Sequence, residues 1–161
     1  PGNKIQMMCR THQESHNRIS EAWSEAGGKT WTDLTRSVLP NNNSGFDAVT
    51  LHDGTQLLAY NHTTRNQGGM GGKGRGFLTI SLSKNGKDWN AALILYHTSG
   101  GRYSYPAVIQ SRNGLVHITS TRSRGLIMHT IINPALLTET EPMPDGKWPA
   151  DGPLSLKQYK P

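Results

Sequence analysis

The sequence contains one cysteine, Cys9, among its 161 residues. A single thiol forms no internal disulfide and no cysteine-rich metal cluster. Long apolar runs are missing as well. The longest, residues 91–96, is far shorter than the roughly 20 residues that a transmembrane helix needs. The sequence therefore predicts no disulfide framework, no metal site and no membrane partner.

The sequence also lacks helical periodicity. No segment of about 12 residues keeps apolar side chains at helical spacing, because the 18 glycines and 9 prolines interrupt most windows. Residues 69–74 spell the dinucleotide-binding pattern G-x-G-x-x-G, but the run after them resembles a strand, whereas a pyrophosphate needs a helix N-terminus there. We therefore expect an all-β chain without a nucleotide or any other cofactor.

Charge of one sign is not concentrated in any segment. Lys and Arg number 17 against 11 Asp and Glu, which gives a net charge of +6. The basic residues are spread along the chain, and the two local clusters, 73–75 and 122–124, have no aromatic platform beside them. We expect no nucleic-acid partner, while an acidic small ligand stays open.

Short strand-like runs are what the sequence does contain. Alternating or wholly apolar stretches recur, with turn residues between them. Many short strands of this kind predict a sandwich, a barrel or a propeller. We expect strands at residues 4–10, 19–23, 30–38, 46–51, 56–61, 77–83, 89–96, 105–110, 115–121 and 126–132.

The connections between these strands favour a propeller. Asx-Gly pairs at 53–54, 85–86 and 113–114 supply the positive φ that tight hairpin turns require. Consecutive strands then pair with their sequence neighbours, whereas immunoglobulin-type sandwiches need longer crossovers between sheets. We therefore expect four-stranded antiparallel blades of the up-and-down type.

Two elements repeat within the chain. Residues 47–60 align with residues 106–119, each an apolar strand, an Asx-Gly turn and a second strand. Residues 24–31 align with residues 83–89, each joining a third strand to a fourth. The chain is therefore predicted to hold about two and a half blades. The first blade lacks its inner strand and the last lacks its outer strand, so this chain does not close a ring.

The second repeated element resembles the Asp-box, a Ser-x-Asp-(x)-Gly-x-Thr-Trp turn, with Ala26 and Asn85 in place of the aspartate. Around it stand IQMMCR (5–10), LPNNNSGFDAV (39–49), YNHT (60–63), YSYPAVIQ (103–110) and GLVHIT (114–119), in this order. Together they resemble the C-terminal half of the BNR-repeat, sialidase-like (neuraminidase-like) family. The resemblance implies the C-terminal blades of a sialidase-type β-propeller over residues 1–134. The five prolines of 135–161 predict a tail packed on the surface.

The resemblance also implies a glycoside hydrolase of the exo-sialidase type, acting on an acidic sugar. Tyr105 matches the family's nucleophile, a neutral group that avoids repulsion from the substrate carboxylate. Arg10 and Arg75 match the second and third of three arginines whose guanidinium forks hold that carboxylate. Three polar residues at the start of an inner strand, near the central axis, complete the predicted sugar contacts: Asn43, Ser44 and Asp47.

Other parts of such a site are not found in this sequence. The first arginine, the acid/base aspartate and the glutamate that activates the tyrosine are expected upstream of Pro1. We therefore expect the remaining propeller blades and an acidic glycan as partners, and we predict that the isolated chain has no turnover. No signal at the start of the chain fixes a location, with secretion or the periplasm favoured.

Each candidate residue also has a purely structural interpretation. Tyr105 can pack on Pro106, the arginines can be solvated charges at strand ends, and residues 40–44 can form a polar turn. A polysaccharide lyase, another exo-glycosidase or a non-catalytic carbohydrate-binding or interaction module remain open as functions on the same fold. His117 and His129 are predicted to be satisfied sheet residues without a ligand.

Overall fold

Three antiparallel sheets dominate the computed structural model, which describes residues 4–12, 17–64, 74–98, 101–150, 152 and 155. The glycine-rich residues 69–73 lie outside these ranges, within which no helix is long and apolar enough to cross a membrane. The prediction of an all-β chain is confirmed. The elements are β1 (Ile5–Cys9), β2 (Arg18–Ser24), β3 (Thr35–Pro40), β4 (Asp47–Thr50), β5 (Gln56–Asn61), β6 (Phe77–Ser83), β7 (Asn90–His97), β8 (Tyr103–Gln110), β9 (Val116–Arg122), β10 (Leu126–Ile132), a 3-10 turn (Pro134–Leu136) and β11 (Glu141–Pro142).

The sheets follow the chain in order, as an up-and-down meander requires. The first sheet has the order β1-β2-β3, the middle sheet β4-β5-β6-β7 with β11 added beside β7, and the third sheet β8-β9-β10. All neighbouring strands are antiparallel. This is the predicted arrangement of one complete four-stranded blade between two three-stranded ones.

Where the turns are tight, the strand boundaries agree with those predicted from the sequence. β5, β6 and β10 have the predicted bounds, while β3 begins at Thr35 instead of residue 30. The reason is a long turn after β2: the Thr32 amide donates to the Trp23 carbonyl at 2.8 Å, and the Trp23 amide donates to the Thr32 hydroxyl at 3.0 Å. Residues 30–34 therefore belong to the turn.

The internal repeat has a register that differs by one residue from the sequence alignment. That alignment sets Gly54 over Asn113. In the structure, the amides of Gly54 and Gly114 make the same turn hydrogen bond, to Leu51 and Ser111 respectively, and both glycines have positive φ (83° and 87°). The predicted register is therefore wrong, and each residue of the middle sheet's first hairpin corresponds to the residue 60 positions later.

The turns after β2 and β6 share one hydrogen-bond pattern. Ser24 Oγ accepts from the Gly28 amide at 2.8 Å, and Ser83 Oγ accepts from the Gly86 amide at 2.8 Å. The indole N–H groups that follow donate to the glycine carbonyls, Trp31 to Gly28 at 3.0 Å and Trp89 to Gly86 at 3.1 Å. Each turn thus binds its own backbone through a serine and a tryptophan.

Two apolar clusters hold the three sheets together. Leu57, Ile80 and Ile118 belong to the cluster between the middle and third sheets. Ile19 and Tyr60 belong to the cluster between the first and middle sheets. Each of these side chains is at most 2% exposed, and full burial of a large apolar side chain stabilises a fold by about 1.5–3 kcal/mol. The clusters fix the sheets face to face and position their edges.

The segment after β10 covers the outer edge of the middle sheet. Glu141 pairs with Ala91 of β7, and Met143 is 1% exposed. Trp148 packs edge-to-face against His62 at 5.2 Å and Phe77 at 5.4 Å between ring centroids. β11 was missing from the sequence prediction because Pro142 is a poor strand residue, but proline is tolerated on an edge strand.

Candidate functional site

The predicted site residues share one edge of the sheets. Because neighbouring strands run in opposite directions, the end of one strand lies beside the start of the next. β1 and β3 end where β2 begins, and β5 and β7 end where β4 and β6 begin. β8 begins at this edge too, since the Tyr103 amide donates to the Arg75 carbonyl at 2.8 Å. The residues at or beside these strand ends are Arg10, Asn43, Ser44, Asp47, Arg75 and Tyr105.

Tyr105 lies in a β-bulge of β8. Ser104 pairs with Thr121 and Ala107 with Thr119, so β8 has one more residue than β9 across this stretch. Tyr105 has φ 52°, a left-handed conformation that costs a side-chain-bearing residue about 1–2 kcal/mol, and its side chain is 57% exposed. Bulges redirect side chains beside functional sites, and left-handed non-glycine residues concentrate there.

Arg75 and Tyr105 lie next to each other. The guanidinium carbon of Arg75 is 5.9 Å from the centroid of the Tyr105 ring, within cation–π range. The ring also packs against Gly45, where an added Cβ would come within 3.2 Å of Tyr105 Cδ1. The structure therefore brings together two of the predicted site residues and the backbone of the loop that carries Asn43 and Ser44.

The loop before β4 is a pair of overlapping asparagine turns. The Asn43 amide donates to Asn41 Oδ1 at 2.8 Å, and the Ser44 amide donates to Asn42 Oδ1 at 3.2 Å. Asn43 itself has φ 66° and is partly exposed. Ser44 is fully buried, and within the described residues its hydroxyl has no hydrogen-bond partner. The sequence-predicted polar turn and the candidate sugar contacts are thus the same residues.

The other two candidates differ in their surroundings. Asp47 Oδ2 accepts from the Val108 amide at 2.8 Å and so links the inner strand of the middle sheet to that of the third, three residues after Tyr105. Arg10 is exposed directly after β1. Among the described residues, no hydrogen bond, ion pair or ring contact joins Arg10 to Arg75 or Tyr105.

Sequence reasoning missed Asn61, which holds the edge together. Its side chain is fully buried, and Nδ2 lies 3.1 Å from the Tyr103 carbonyl oxygen, 3.2 Å from that of Phe77 and 3.5 Å from that of Arg75. The two N–H groups of one amide are therefore shared among three carbonyls, two from the start of β6 and the residues before it and one from the start of β8. A polar residue directly after the apolar run 57–60 of β5 was the available signal.

We expect Asn61→Ala to lower the free energy of unfolding by about 2 kcal/mol, because it removes buried hydrogen bonds to the carbonyls of Phe77 and Tyr103. Urea unfolding followed by circular dichroism measures this. Asn113→Ala, which removes an amide from an exposed turn, is the control and should lose less than half as much. Equal losses in the two variants would contradict the role of Asn61.

A cleft of about 570 Å³ opens at the opposite edge of the middle and third sheets. Turn residues such as His52 and Asn113 line it. Hydrogen bonds from the Thr55 hydroxyl and amide, together with Lys84 Nζ at 3.2 Å, lower the pKa of Asp53 to about 2. The cleft contains none of the sequence-predicted site residues, so its size does not make it the candidate site.

Fold and site together define a class of protein: a partial β-propeller whose strand ends present an exposed tyrosine, an arginine and an amide-rich loop. The sequence pattern of the BNR repeat-like domain matches residues 1–118, and the chain belongs to this family. No curated protein gives a significant match to the sequence.

Solved structures of sialidases have a similar fold. The intramolecular trans-sialidase from Ruminococcus gnavus in complex with oseltamivir carboxylate is 16% identical, with a TM-score of 0.59 over 83% of this chain and 31% of its own. The leech intramolecular trans-sialidase complexed with 2,7-anhydro-Neu5Ac is 17% identical, with a TM-score of 0.57 over 84% and 22%. The NanB sialidase from Streptococcus pneumoniae is 14% identical, with a TM-score of 0.54 over 87% and 20%.

These comparisons confirm the prediction of a partial propeller of the sialidase type. The chain spans between 20% and 31% of the length of the three structures. At 14–17% identity the likeness concerns the fold, and the chemistry must be argued from the site.

Proposed function

We propose that this chain contributes a tyrosine nucleophile and a carboxylate-binding arginine to a sialidase-like glycoside hydrolase acting on an acidic sugar. The observation that carries the proposal is Tyr105 in a strained bulge, with its ring exposed and Arg75 at 5.9 Å. A left-handed backbone is strained at a bulky residue, and such strain concentrates at functional sites.

The chemistry fits this pair of residues. In the proposed reaction the Tyr105 oxygen bonds to the anomeric carbon as the glycosidic C–O bond breaks, the phenol proton passes to a carboxylate base, and an acid protonates the leaving oxygen. A phenol with an ordinary pKa of about 10 needs such a base. Within the described residues no side chain hydrogen-bonds the Tyr105 hydroxyl, so the base is expected from elsewhere.

Arg75 has two proposed tasks. Its guanidinium offers a planar pair of donors for the substrate carboxylate. Its positive charge also stabilises the negative charge that develops on the neighbouring phenolic oxygen during attack. Arg10 is proposed as a second carboxylate contact and Asn43 and Asp47 as sugar contacts at the start of β4. Ser44, which is fully buried, is proposed to support the loop that carries Asn43.

The remaining blades of a propeller are the proposed partners of this chain. The outer face of the third sheet exposes Ile109, Ile127 and Ile131 at 63%, 80% and 47%. An apolar face of this kind is what a neighbouring blade covers. We further propose that residues 1–134 form the propeller blades and that residues 135–161 are a surface tail.

Ligand binding tests the proposal on this chain alone. We expect oseltamivir carboxylate and 2,7-anhydro-Neu5Ac to shift amide resonances around Tyr105 and Gly45 in a nuclear magnetic resonance titration. Arg75→Ala should weaken binding at least about tenfold, because a charged hydrogen-bond pair contributes about 1.5–3 kcal/mol. Arg112→Ala, in an exposed turn at the opposite edge, should leave affinity unchanged. Shifts that ignore Arg75→Ala would contradict the proposed carboxylate contact.

Catalysis needs a separate measurement. With a fluorogenic sialoside we expect no turnover by the 161-residue chain. In a complete propeller that includes it, we expect Tyr105→Phe to reduce kcat by about 100-fold or more while oseltamivir carboxylate still binds. Unchanged kcat in Tyr105→Phe would rule out the nucleophile assignment.

A non-catalytic carbohydrate-binding module is the second candidate function. The exposed Tyr105 ring beside a cation is also suited to stacking on a sugar face. Binding that is lost in Tyr105→Ala, retained in Tyr105→Phe and never accompanied by turnover would favour the binding module. Release of an unsaturated product or of a different sugar would instead assign a lyase or another exo-glycosidase.

A further inference from the structure

Asp47 joins the inner strands of the middle and third sheets through its side chain. β4 and β8 belong to different sheets of the described chain, and no backbone ladder joins them. Asp47 Oδ2 bridges the gap by accepting from the Val108 amide at 2.8 Å. Among the described residues, Oδ1 has no hydrogen-bond partner. The carboxylate therefore commits one oxygen to the neighbouring strand and keeps the other for a ligand.

The bonded amide lies directly after the bulge that carries Tyr105. Regular pairing of β8 with β9 resumes at Ala107 and continues through Val108. On the other side of the bulge, the Ser104 carbonyl accepts from the Thr121 hydroxyl at 3.1 Å. A strained backbone keeps its conformation only where the surrounding structure holds it. Side-chain hydrogen bonds hold this bulge at both of its ends.

The segment that carries Asp47 also contacts the Tyr105 ring. Gly45 lies two residues before Asp47, and a Cβ added there would come within 3.2 Å of Tyr105 Cδ1. Within the described residues no side chain hydrogen-bonds the Tyr105 hydroxyl. The direction of the ring is therefore set by its packing on Gly45, by Arg75 and by the backbone of the bulge. A slip of β8 relative to β4 would move the ring off Gly45.

The internal repeat shows that this carboxylate is not needed to form a blade. By the 60-residue register, Asp47 corresponds to Ala107, whose side chain accepts no hydrogen bond. The two hairpins nevertheless form with the same turn hydrogen bonds, at Gly54 and at Gly114. The Asp47 side chain therefore serves the contact of β4 with β8 and is dispensable for the hairpin that contains it.

We propose that Asp47 is a positioning residue for the Tyr105 nucleophile. Oδ2 fixes the strand after the bulge, and Gly45 in the same segment supports the ring, so that the phenol is presented in one direction. Oδ1 is left for the sugar contact already assigned to Asp47. A misplacement of about 1 Å in a reacting group can cost about 100-fold in rate. The catalytic consequence rests on the proposed function, whereas the geometry of the bulge can be measured without it.

Nuclear magnetic resonance of the ligand-free 161-residue chain tests the geometry. We expect a nuclear Overhauser effect between the Tyr105 ring and the Gly45 Hα protons, and a coupling across the hydrogen bond from the Val108 nitrogen to the Asp47 carboxyl carbon. Asp47→Ala should remove the Overhauser effect and shift the Tyr105 amide resonance, while Asp47→Asn, which keeps an oxygen acceptor, should retain both signals of the wild type.

Asp53→Ala is the matched control for this measurement. It removes a carboxylate that accepts two hydrogen bonds from Thr55 in the same hairpin, but at the opposite edge, and should leave the Tyr105 signals unchanged. An Overhauser effect that persists in Asp47→Ala would overturn the proposal. So would the absence of the Val108–Asp47 coupling in the wild-type chain, a result that needs no variant to fold.

Kinetics of a complete propeller that includes this chain separate positioning from sugar binding. We expect Asp47→Ala to lower kcat at least about tenfold and Asp47→Asn less than about threefold, with loss of the Oδ1 contact appearing in KM. In a Tyr105→Phe background, Asp47→Ala should lower kcat no further, because it acts through the Tyr105 oxygen. An equal loss in both backgrounds would overturn the proposal. Unchanged kcat in Tyr105→Phe would instead refute the nucleophile assignment, while the Overhauser effect still decides whether Asp47 positions the ring.

Discussion

Gly86→Ala is expected to lower the free energy of unfolding by about 3 kcal/mol. Gly86 has φ 73°, where a side-chain-bearing residue is strained by about 1–2 kcal/mol. An added Cβ would also lie 2.7 Å from Trp23 Cη2, and overpacking a filled site costs about 1–3 kcal/mol. The oxygen atoms of Gln6 and Gln56 that it would meet are the ends of flexible side chains, whereas the rigid indole ring of Trp23 must shift as a whole.

Gly114→Ala is a matched control for this prediction. Gly114 has φ 87° in a comparable turn, but an added Cβ there would meet nothing within 4 Å. It should therefore lose only the backbone part, about 1–2 kcal/mol. Urea unfolding of both variants, followed by circular dichroism, separates strain from packing. If the free energy of unfolding falls by the same amount in both variants, the result would contradict the close approach of the first and middle sheets at Gly86.

The reason for the difference is the position of Gly86 between two sheets. Its carbonyl accepts from Gln6 Nε2 of the first sheet at 2.8 Å and from the Trp89 indole of its own turn at 3.1 Å. A glycine in this turn therefore serves two purposes, the left-handed backbone and the contact between blades. Only the first of these is visible from an Asn-Gly pair in the sequence.

Local features of the fold were predictable from the sequence because they depend on neighbours along the chain. The strands 56–61, 77–83 and 126–132 were correct to the residue, since each is bounded by turn residues whose backbone preference is intrinsic. The order of the strands followed from the same turns. The register of the repeat was predicted one residue off, although the Asx-Gly pairs at 53–54 and 113–114 are 60 positions apart, and the matching hydrogen bonds around Gly54 and Gly114 correct it.

The candidate site, too, was predictable only in part: the residues could be named from the sequence, but their contacts could not. Tyr105 and Arg75 were nominated by resemblance to a family, but their proximity depends on a bulge in β8 and on packing between the middle and third sheets, which are tertiary features. Asn61 was missed for the same reason. Its importance comes from three carbonyls at residues 75, 77 and 103, far from it in sequence. His117 and His129 were predicted to be satisfied sheet residues, and the 3.1 Å contact between their ring nitrogens likewise depends on the pairing of β9 with β10.

The second large effect expected is a loss of stability on mild acidification, caused by His62. Burial, with a smaller contribution from nearby Arg18, lowers the pKa of His62 from 6.5 to about 4. The neutral ring is held by the Tyr60 hydroxyl, 2.5 Å from Nδ1, and by the edge of Trp148. Since the folded chain binds this proton less readily than the unfolded chain, acid favours unfolding.

The pH range follows from the two pKa values. The contribution is fully present above pH 6.5 and is lost as the pH falls through the range down to about 4, by about 3 kcal/mol in total. Asp53, whose pKa is lowered from 3.8 to about 2, acts at lower pH and does not overlap this range. Urea midpoints measured every half pH unit from 7.5 to 4 should therefore fall steeply in the wild-type chain.

His62→Gln is the variant that isolates this effect. The amide can still hydrogen-bond the Tyr60 hydroxyl but cannot be protonated, so the variant should start from a lower stability at pH 7.5 and lose much less of it by pH 4.5. His52→Gln, at an exposed turn, should retain the wild-type slope. A slope in His62→Gln as steep as in the wild type would mean that protonation elsewhere causes the loss. A flattened slope would assign it to the one imidazole enclosed between Tyr60, Phe77 and Trp148, where the C-terminal segment docks on the middle sheet.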